Sequence, residues 1–319
     1  MKYKIKKNKI EFSQNFDDPL SEDIIEDIKK CEIIYFNYDF NQPVNNLPNN
    51  IRKIIFGKKF NQPVDHLPQE IMMINFCCDF NQTIDFLPIN LICLSLGPKF
   101  NQPIDNLPEN LKKLTIHNFS NELNVKNFHS DRLNINDAPG KFNQKIDNLP
   151  INLKALYILT GYFNQSIDNL PKSLEILELG QKFNYPVDNL PKSLKYLTLG
   201  LDFNHPVDNL PENLKELCLS REFNHKLRNL PNIKVLYIFH KFSHSLNRLP
   251  DSIEVLNIGV QKMMNGWWGH SGKNFYFRKM FKKIPANLKI MRINSMYPHS
   301  ERLKEILGDK LEIVDHLGY

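Results

Sequence analysis

The sequence predicts a repeat solenoid, a right-handed superhelix of short coils with a parallel β-sheet on one face and turns or irregular return segments elsewhere. Three observations carry this. A block headed by phenylalanine recurs in steps of 20 residues through most of the 319-residue chain. Each block ends in alternating aliphatic residues, which is the strand period. Each block also carries Leu-Pro at one offset, where proline bends the chain and removes a backbone donor. A fixed period of this length means stacked coils, so one elongated domain can use the whole chain.

Phe183–Leu199, FNYPVDNLPKSLKYLTL, shows the frame most clearly. With Phe at position 0, Asn stands at +1, Pro at +3, an aliphatic residue at +4, Asp at +5 and Leu-Pro at +7 and +8. Aliphatic residues follow at +11, +14 and +16. Regular coils start at Phe40, Phe60, Phe80, Phe100, Phe142, Phe163, Phe183, Phe203, Phe223 and Phe242.

Taken in order, residues 1–39 read as an N-terminal cap and degenerate first coil. Ile10 and Phe12 precede Phe16 with strand spacing, and Phe16-Asp-Asp-Pro-Leu20 copies the corner. A short helix is expected over Ser21–Lys30 with Ser21 as its cap, then a strand over Cys31–Phe36. Residues 40–258 form the solenoid, with a degenerate coil at 119–141 that lacks Leu-Pro. Residues 259–319 hold a tryptophan-containing insertion at 260–276, a degenerate last coil from Phe277 and a C-terminal cap. In that cap a helix over Glu301–Leu307 ends at Gly308.

Each column has a physical reason. The Phe rings stack in the interior. The +1 Asn amides form a ladder to backbone groups that a coil leaves unpaired. The +5 Asp residues, such as Asp147, Asp168, Asp188 and Asp208, would repel along a stack unless hydrogen-bonded. An Asx-turn to the +7 N–H is favoured over a calcium ladder, because Asn45, Arg228 and Asn247 share the position. Gly57, Gly97, Gly180, Gly200 and Gly259 follow strands and suit a turn leaving the sheet.

Composition narrows the function classes. The net charge is +6, and Lys and Arg are interspersed with Asp and Glu, which argues against nucleic acid as a partner. The basic start has no apolar h-region, and no apolar run reaches the ~20 residues of a membrane span. Five cysteines without CxxC spacing fit a thiol-reduced, intracellular and cytoplasmic setting.

The F-N-x-P-(I/V)-D-N-L-P frame resembles the FNIP repeat, a leucine-rich-repeat-like family found in social amoebae and in giant DNA viruses of amoebae. The resemblance covers Phe40 to Ile258 clearly. It implies a leucine-rich-repeat-like fold and a protein-interaction module, in relatives often joined to an F-box or a kinase domain. Residues 1–39 are too short for an F-box plus a cap, and no kinase motif occurs.

No constellation with catalytic order or spacing appears: no Ser-His-Asp set, phosphate loop or HExxH. His205, His225 and His244 share the +2 position and could in principle form a zinc column. Earlier coils carry Gln there, so histidine as one more polar side chain on the surface is the simpler account. Cys77, Cys78 and Cys93 are read as buried or half-buried thiols. No cofactor and no enzymatic activity are expected.

The outward strand positions vary while the interior repeats. Tyr157, Ile176, Tyr196, Val235, Tyr237 and Val255 form a tyrosine and aliphatic set suited to a protein partner. Trp267 and Trp268 in the insertion join it, either as a binding loop or as a cap over the last coils. The function expected is a non-catalytic protein–protein interaction scaffold using the outward sheet face. The alternatives are a ubiquitin-ligase substrate adaptor with its F-box supplied in trans and, behind that, a metal-dependent enzyme.

Overall fold

The structure, a computed structural model, describes residues 2–117, 140–239, 241–259, 277–279 and 281–314. Residues 119–139 of the expected degenerate coil, and the insertion with Trp267 and Trp268, lie outside the described residues. The chain divides into two compact units. One is Met1–Gln165 with Asn169–Leu174; the other is Ser166–Asp168 with Glu175–Tyr319.

The first unit opens with an antiparallel hairpin, β1 (Tyr3–Lys6) and β2 (Lys9–Phe12), turned at Lys7 in the left-handed region. Helix α1 (Glu22–Ile28) follows, burying Ile24 and Ile28. Six short strands succeed it: β3 (Ile33–Tyr35), β4 (Lys53–Ile55), β5 (Met73–Asn75), β6 (Cys93–Leu96), β7 (Lys113–Ile116) and β8 (Ala155–Ile158). From β2 onward each pairs in parallel with the next, and equivalent repeat positions face each other, as Ile54 faces Ile74. The long step in the sequence does not interrupt this register. Leu114 pairs with Leu156, and Phe142 stacks on Phe100 at 6.1 Å.

The second unit repeats the arrangement with β9 (Ile176–Leu179), β10 (Tyr196–Thr198), β11 (Glu216–Leu219), β12 (Val235–Ile238), β13 (Val255–Ile258), β14 (Ile290–Asn294) and β15 (Leu311–Val314), all parallel. Helix α2 (Ser300–Leu307) and a 3-10 turn at Gly308–Lys310 join the last two strands.

Each coil is too small to bury its own apolar side chains, so stacking supplies the core. The +14 and +16 residues of the strands point inward and are buried, as are the Phe rings. Ring centroids repeat at 6.1–6.2 Å, from Phe40 to Phe60, Phe80 and Phe100 in the first unit. Phe183, Phe203, Phe223 and Phe242 do the same in the second. The first unit adds a second aromatic row at +16, Phe36, Phe56 and Phe76, spaced at 5.1–5.5 Å.

Three expectations change. Helix α1 is shorter than Ser21–Lys30, and Ser21 occupies the N-cap position without a side-chain cap bond. Strands β1 and β15 extend the caps beyond anything the repeat frame implied. The post-strand glycines answer two demands rather than one. A Cβ at Gly97 would lie 2.1 Å from the Cys77 carbonyl oxygen, and one at Gly200 would lie 1.9 Å from that of Gly180. Those sites need glycine for close coil-to-coil approach, whereas Gly259 needs it for a positive φ of 66°.

Candidate interaction surface

A β-coil presents three surfaces: the sheet face, the Asn edge and the return path. The sheet face of the second unit carries most of the candidate residues. Register sets their order at +13 as Ile176, Tyr196, Glu216, Val235, Val255 and Ile290, the strand of the Phe223 coil coming one residue early because that coil is one residue short. Tyr196 is exposed, while Ile176, Val235 and Val255 are half-buried by their neighbours. The strands therefore bring Ile176 beside Tyr196, and Val235 beside Val255, but Glu216 separates the two pairs. Glu216 and Ile290 were missed from the sequence, although their offsets from Phe203 and Phe277 are both +13.

The +15 row runs Glu178, Thr198, Cys218, Tyr237, Asn257 and Arg292. Tyr237 is half-buried, and Glu178, Thr198, Cys218 and Asn257 are buried although they point outward. Parallel strands sit about 4.8 Å apart, so bulky neighbours at +13 cover short side chains beside them. The Asn257 Nδ2 is buried with no hydrogen-bond partner among the described residues. Leaving a donor unpaired costs stability, so this rung is not optimised for folding alone.

A charged row flanks these residues at +12. Lys195 pairs with Glu175 at 2.6 Å, and Glu254 lies between Lys234 at 2.8 Å and Lys289 at 2.6 Å. Hydrogen bonds from the two ammonium groups hold the Glu254 carboxyl down at about 2. Tyr157, in the first unit, is half-buried and has the Lys113 ammonium 5.0 Å above its ring.

The Asn edge is a hydrogen-bonded chain. The Asn61 N–H donates to Asn41 Oδ1, Asn81 to Asn61 and Asn101 to Asn81, each at 2.8 Å. In the second unit Asn204 donates to Asn184 and Asn224 to Asn204, at 2.9 and 3.0 Å. Residues at +2 complete the edge. Gln62, Gln82, Gln102 and Gln144 donate to the preceding +1 carbonyl at 2.9–3.0 Å. His205, His225 and His244 place Nε2 on the same carbonyl, also at 2.9–3.0 Å. A carbonyl only accepts, so Nε2 carries the proton and is committed to structure. That bond is why the column accepts histidine where the earlier coils carry glutamine.

On the return path most +5 carboxylates find partners in the following coil, where the sequence had suggested the +7 N–H of their own turn, although Asp208 Oδ1 is buried without one among the described residues. The +6 Asn amide of the next coil donates to them: Asn106 to Asp85, Asn148 to Asp105, Asn169 to Asp147 and Asn209 to Asp188, at 3.0–3.1 Å. The Asp/Asn alternation relieves the repulsion between successive carboxylates. None of the five cysteines forms a disulfide, and the Cys77 and Cys78 sulfurs lie 3.2 Å apart. Its contact with Cys78, together with burial, pushes the Cys77 thiol well above the usual range, which disfavours the reactive thiolate.

A family model for the FNIP repeat matches residues 43–79, 80–126, 142–182 and 163–202. The chain carries FNIP repeats. The fold also matches a solved structure described as CroV588, a novel circular LRR protein, with a TM-score of 0.72 and 28% identity over 93% of this chain. The FNIP-repeat chain spans only 42% of that protein's length. A second structure, YopM from Yersinia enterocolitica WA-314, aligns at a TM-score of 0.35 and 15% identity, over 90% of this chain and 69% of that one. No curated protein matches the sequence. The FNIP repeats thus form a leucine-rich-repeat-like parallel-sheet solenoid, a fold whose usual use is protein contact. No helix among the described residues is long and apolar enough to cross a membrane.

Proposed function

We propose that this FNIP-repeat chain is a non-catalytic scaffold that binds a partner protein on the sheet face of its second unit. The observation that carries this is the contrast within one strand. Inward positions hold little but Leu, Ile and Met, while the outward +13 row changes from Ile176 to Tyr196, Glu216, Val235 and Val255. Stability selects the first row, and a surface free of partners gives no reason for tyrosine and valine in the second. The unpaired donor at Asn257, beside Tyr237, supports the same face. Tyr157 in the first unit, and Trp267 and Trp268 in the insertion, are proposed as further contacts of the same kind. The free, mostly buried thiols support a reducing, intracellular compartment.

The test is affinity capture from cell extract with the natural chain and with Tyr196→Ala and Tyr237→Ala. Both variants should melt like the natural protein and lose the same captured proteins. Full recovery of every partner by both variants would sink the proposal. Recovery of cullin-type ligase components would instead favour the adaptor reading.

A further inference from the structure

The return path of the first unit departs furthest from the repeat at the coil headed by Phe80, and the departure builds a second surface. At +6 the neighbouring coils carry His66, Asn106 and Asn148, and at +9 they carry Gln69, Glu109 and Ile151, the last exposed but with no aromatic residue at +6 of its own coil. The coil headed by Phe80 has Phe86 and Ile89 at these offsets, with exposures of 68% and 62%. The backbone beneath them is held rigidly. The Ile89 N–H donates to Gln69 Oε1 at 3.0 Å, and the Asn110 amide donates to the Ile89 carbonyl at 3.0 Å.

Phe86 also breaks the Asp/Asn ladder. Asp85 and Asp105 each receive a +6 amide from the next coil, but Phe86 stands where the amide for Asp65 would be. A half-buried carboxylate is thus left beside an exposed aromatic ring. Asp65, Asp85 and Glu109 edge a groove of about 560 Å³ in which Phe86 and Ile89 supply the apolar wall. That volume falls in the range of small-ligand and side-chain pockets. An acidic rim around an aromatic ring selects a cation that can lie over the ring face and pair with a carboxylate.

We propose that this groove docks a peptide segment of a partner protein that presents an arginine or lysine next to a branched apolar side chain. The basic head pairs with Asp65 over the Phe86 ring, and the apolar neighbour packs on Ile89. The site is separate from the sheet face and does not depend on what that face binds.

The test uses fluorescence anisotropy with two short labelled peptide pools, one with Arg-Leu fixed at its centre and one with Glu-Leu. The natural chain should bind the Arg-Leu pool about tenfold tighter, and added salt should weaken it. Phe86→Asn restores the residue of the repeat and returns an amide to Asp65, so it should fold at least as well. It should abolish the preference, as should Asp65→Asn. Tyr196→Ala, on the sheet face, should leave peptide binding intact. Equal binding of the two pools, or an unchanged preference in Phe86→Asn with a native melt, would overturn the proposal.

Discussion

The two units build the same edge from different residues. In the first, the +2 donor is Gln62, Gln82, Gln102 or Gln144; in the second it is His205, His225 or His244. Every one donates to the preceding +1 carbonyl. The position is therefore defined by an N–H at a fixed reach, not by a residue type. The units also differ in the setting of the ladder. Asn41, Asn61, Asn81 and Asn101 are half-buried, whereas Asn184, Asn204 and Asn224 are exposed. An identical bond thus sits in drier surroundings in the first coils than in those from Asn143 onward.

The glycines test what the units share. Alanine at Gly97 or Gly200 would drive a Cβ to within 2.1 or 1.9 Å of a backbone carbonyl oxygen, which no rotamer change relieves. Each substitution should cost about 3 kcal/mol or more in a denaturant melt. Gly308→Ala is the control: its φ of +51° is strained for alanine but nothing lies within 4 Å, so about 1 kcal/mol is expected. A mild effect at Gly97 or Gly200 would mean that the coils can separate, and the close-approach argument would fail.

The Asn ladder tests what differs. Asn61→Ala removes the acceptor for the Asn81 N–H in half-buried surroundings, where water replaces it poorly, and should cost about 1–2 kcal/mol. Asn204→Ala removes the equivalent acceptor for Asn224 where water has access, and should cost about 0.5 kcal/mol. Serine at either position should recover part of the loss, since Ser243 occupies the same offset and its own N–H still donates to Asn224 Oδ1 at 2.9 Å. Equal costs in the two units would show that exposure does not set the value of this bond.

The regular coils were legible because each column repeats one chemical demand: a ring at 0, an amide at +1, Leu-Pro at +7 and +8, and inward aliphatic residues at +14 and +16. What escaped depends on the neighbouring coil. The +5 carboxylates were assigned to their own turn because that partner is local; the actual donor, such as Asn209 for Asp188, lies 21 residues away. Burial of Thr198 and Cys218 could not be read from alternation, since it comes from side chains on adjacent strands. The candidate residues Ile176, Tyr196, Val235 and Val255 were legible as a varying column. Their division by Glu216, and the continuation to Ile290, appear only when register places one strand beside the next. Strands β1 and β15 lie outside the repeat, so no frame announced them.

The smallest effect is electrostatic and belongs to the second unit. Its +12 row alternates as Lys234, Glu254 and Lys289, while the first unit carries Arg52, Met72, Ile92 and Lys112 at that offset. Hydrogen bonds from Lys234 and Lys289 lower the Glu254 pKa from the usual 4.5 to about 2. Lys234 shifts upward, chiefly through its hydrogen bond to the same carboxylate. The folded-state value of Glu254 lies below the unfolded one, so its contribution is fully present above pH 4.5 and is lost as pH falls towards 2. Both lysines are solvent-exposed and Glu254 is only half-buried, so the stability at stake is small. Carbon-detected NMR titration of the side-chain carboxyl should find the midpoint near 2, rising towards 4.5 in Lys289→Ala. Glu254→Gln should melt slightly below the natural chain at neutral pH, and the gap should close between pH 4.5 and 2. A Glu254 midpoint near 4.5 in the natural chain would show that the lysines are held by solvent, leaving the apolar +13 residues as the distinguishing content of that face.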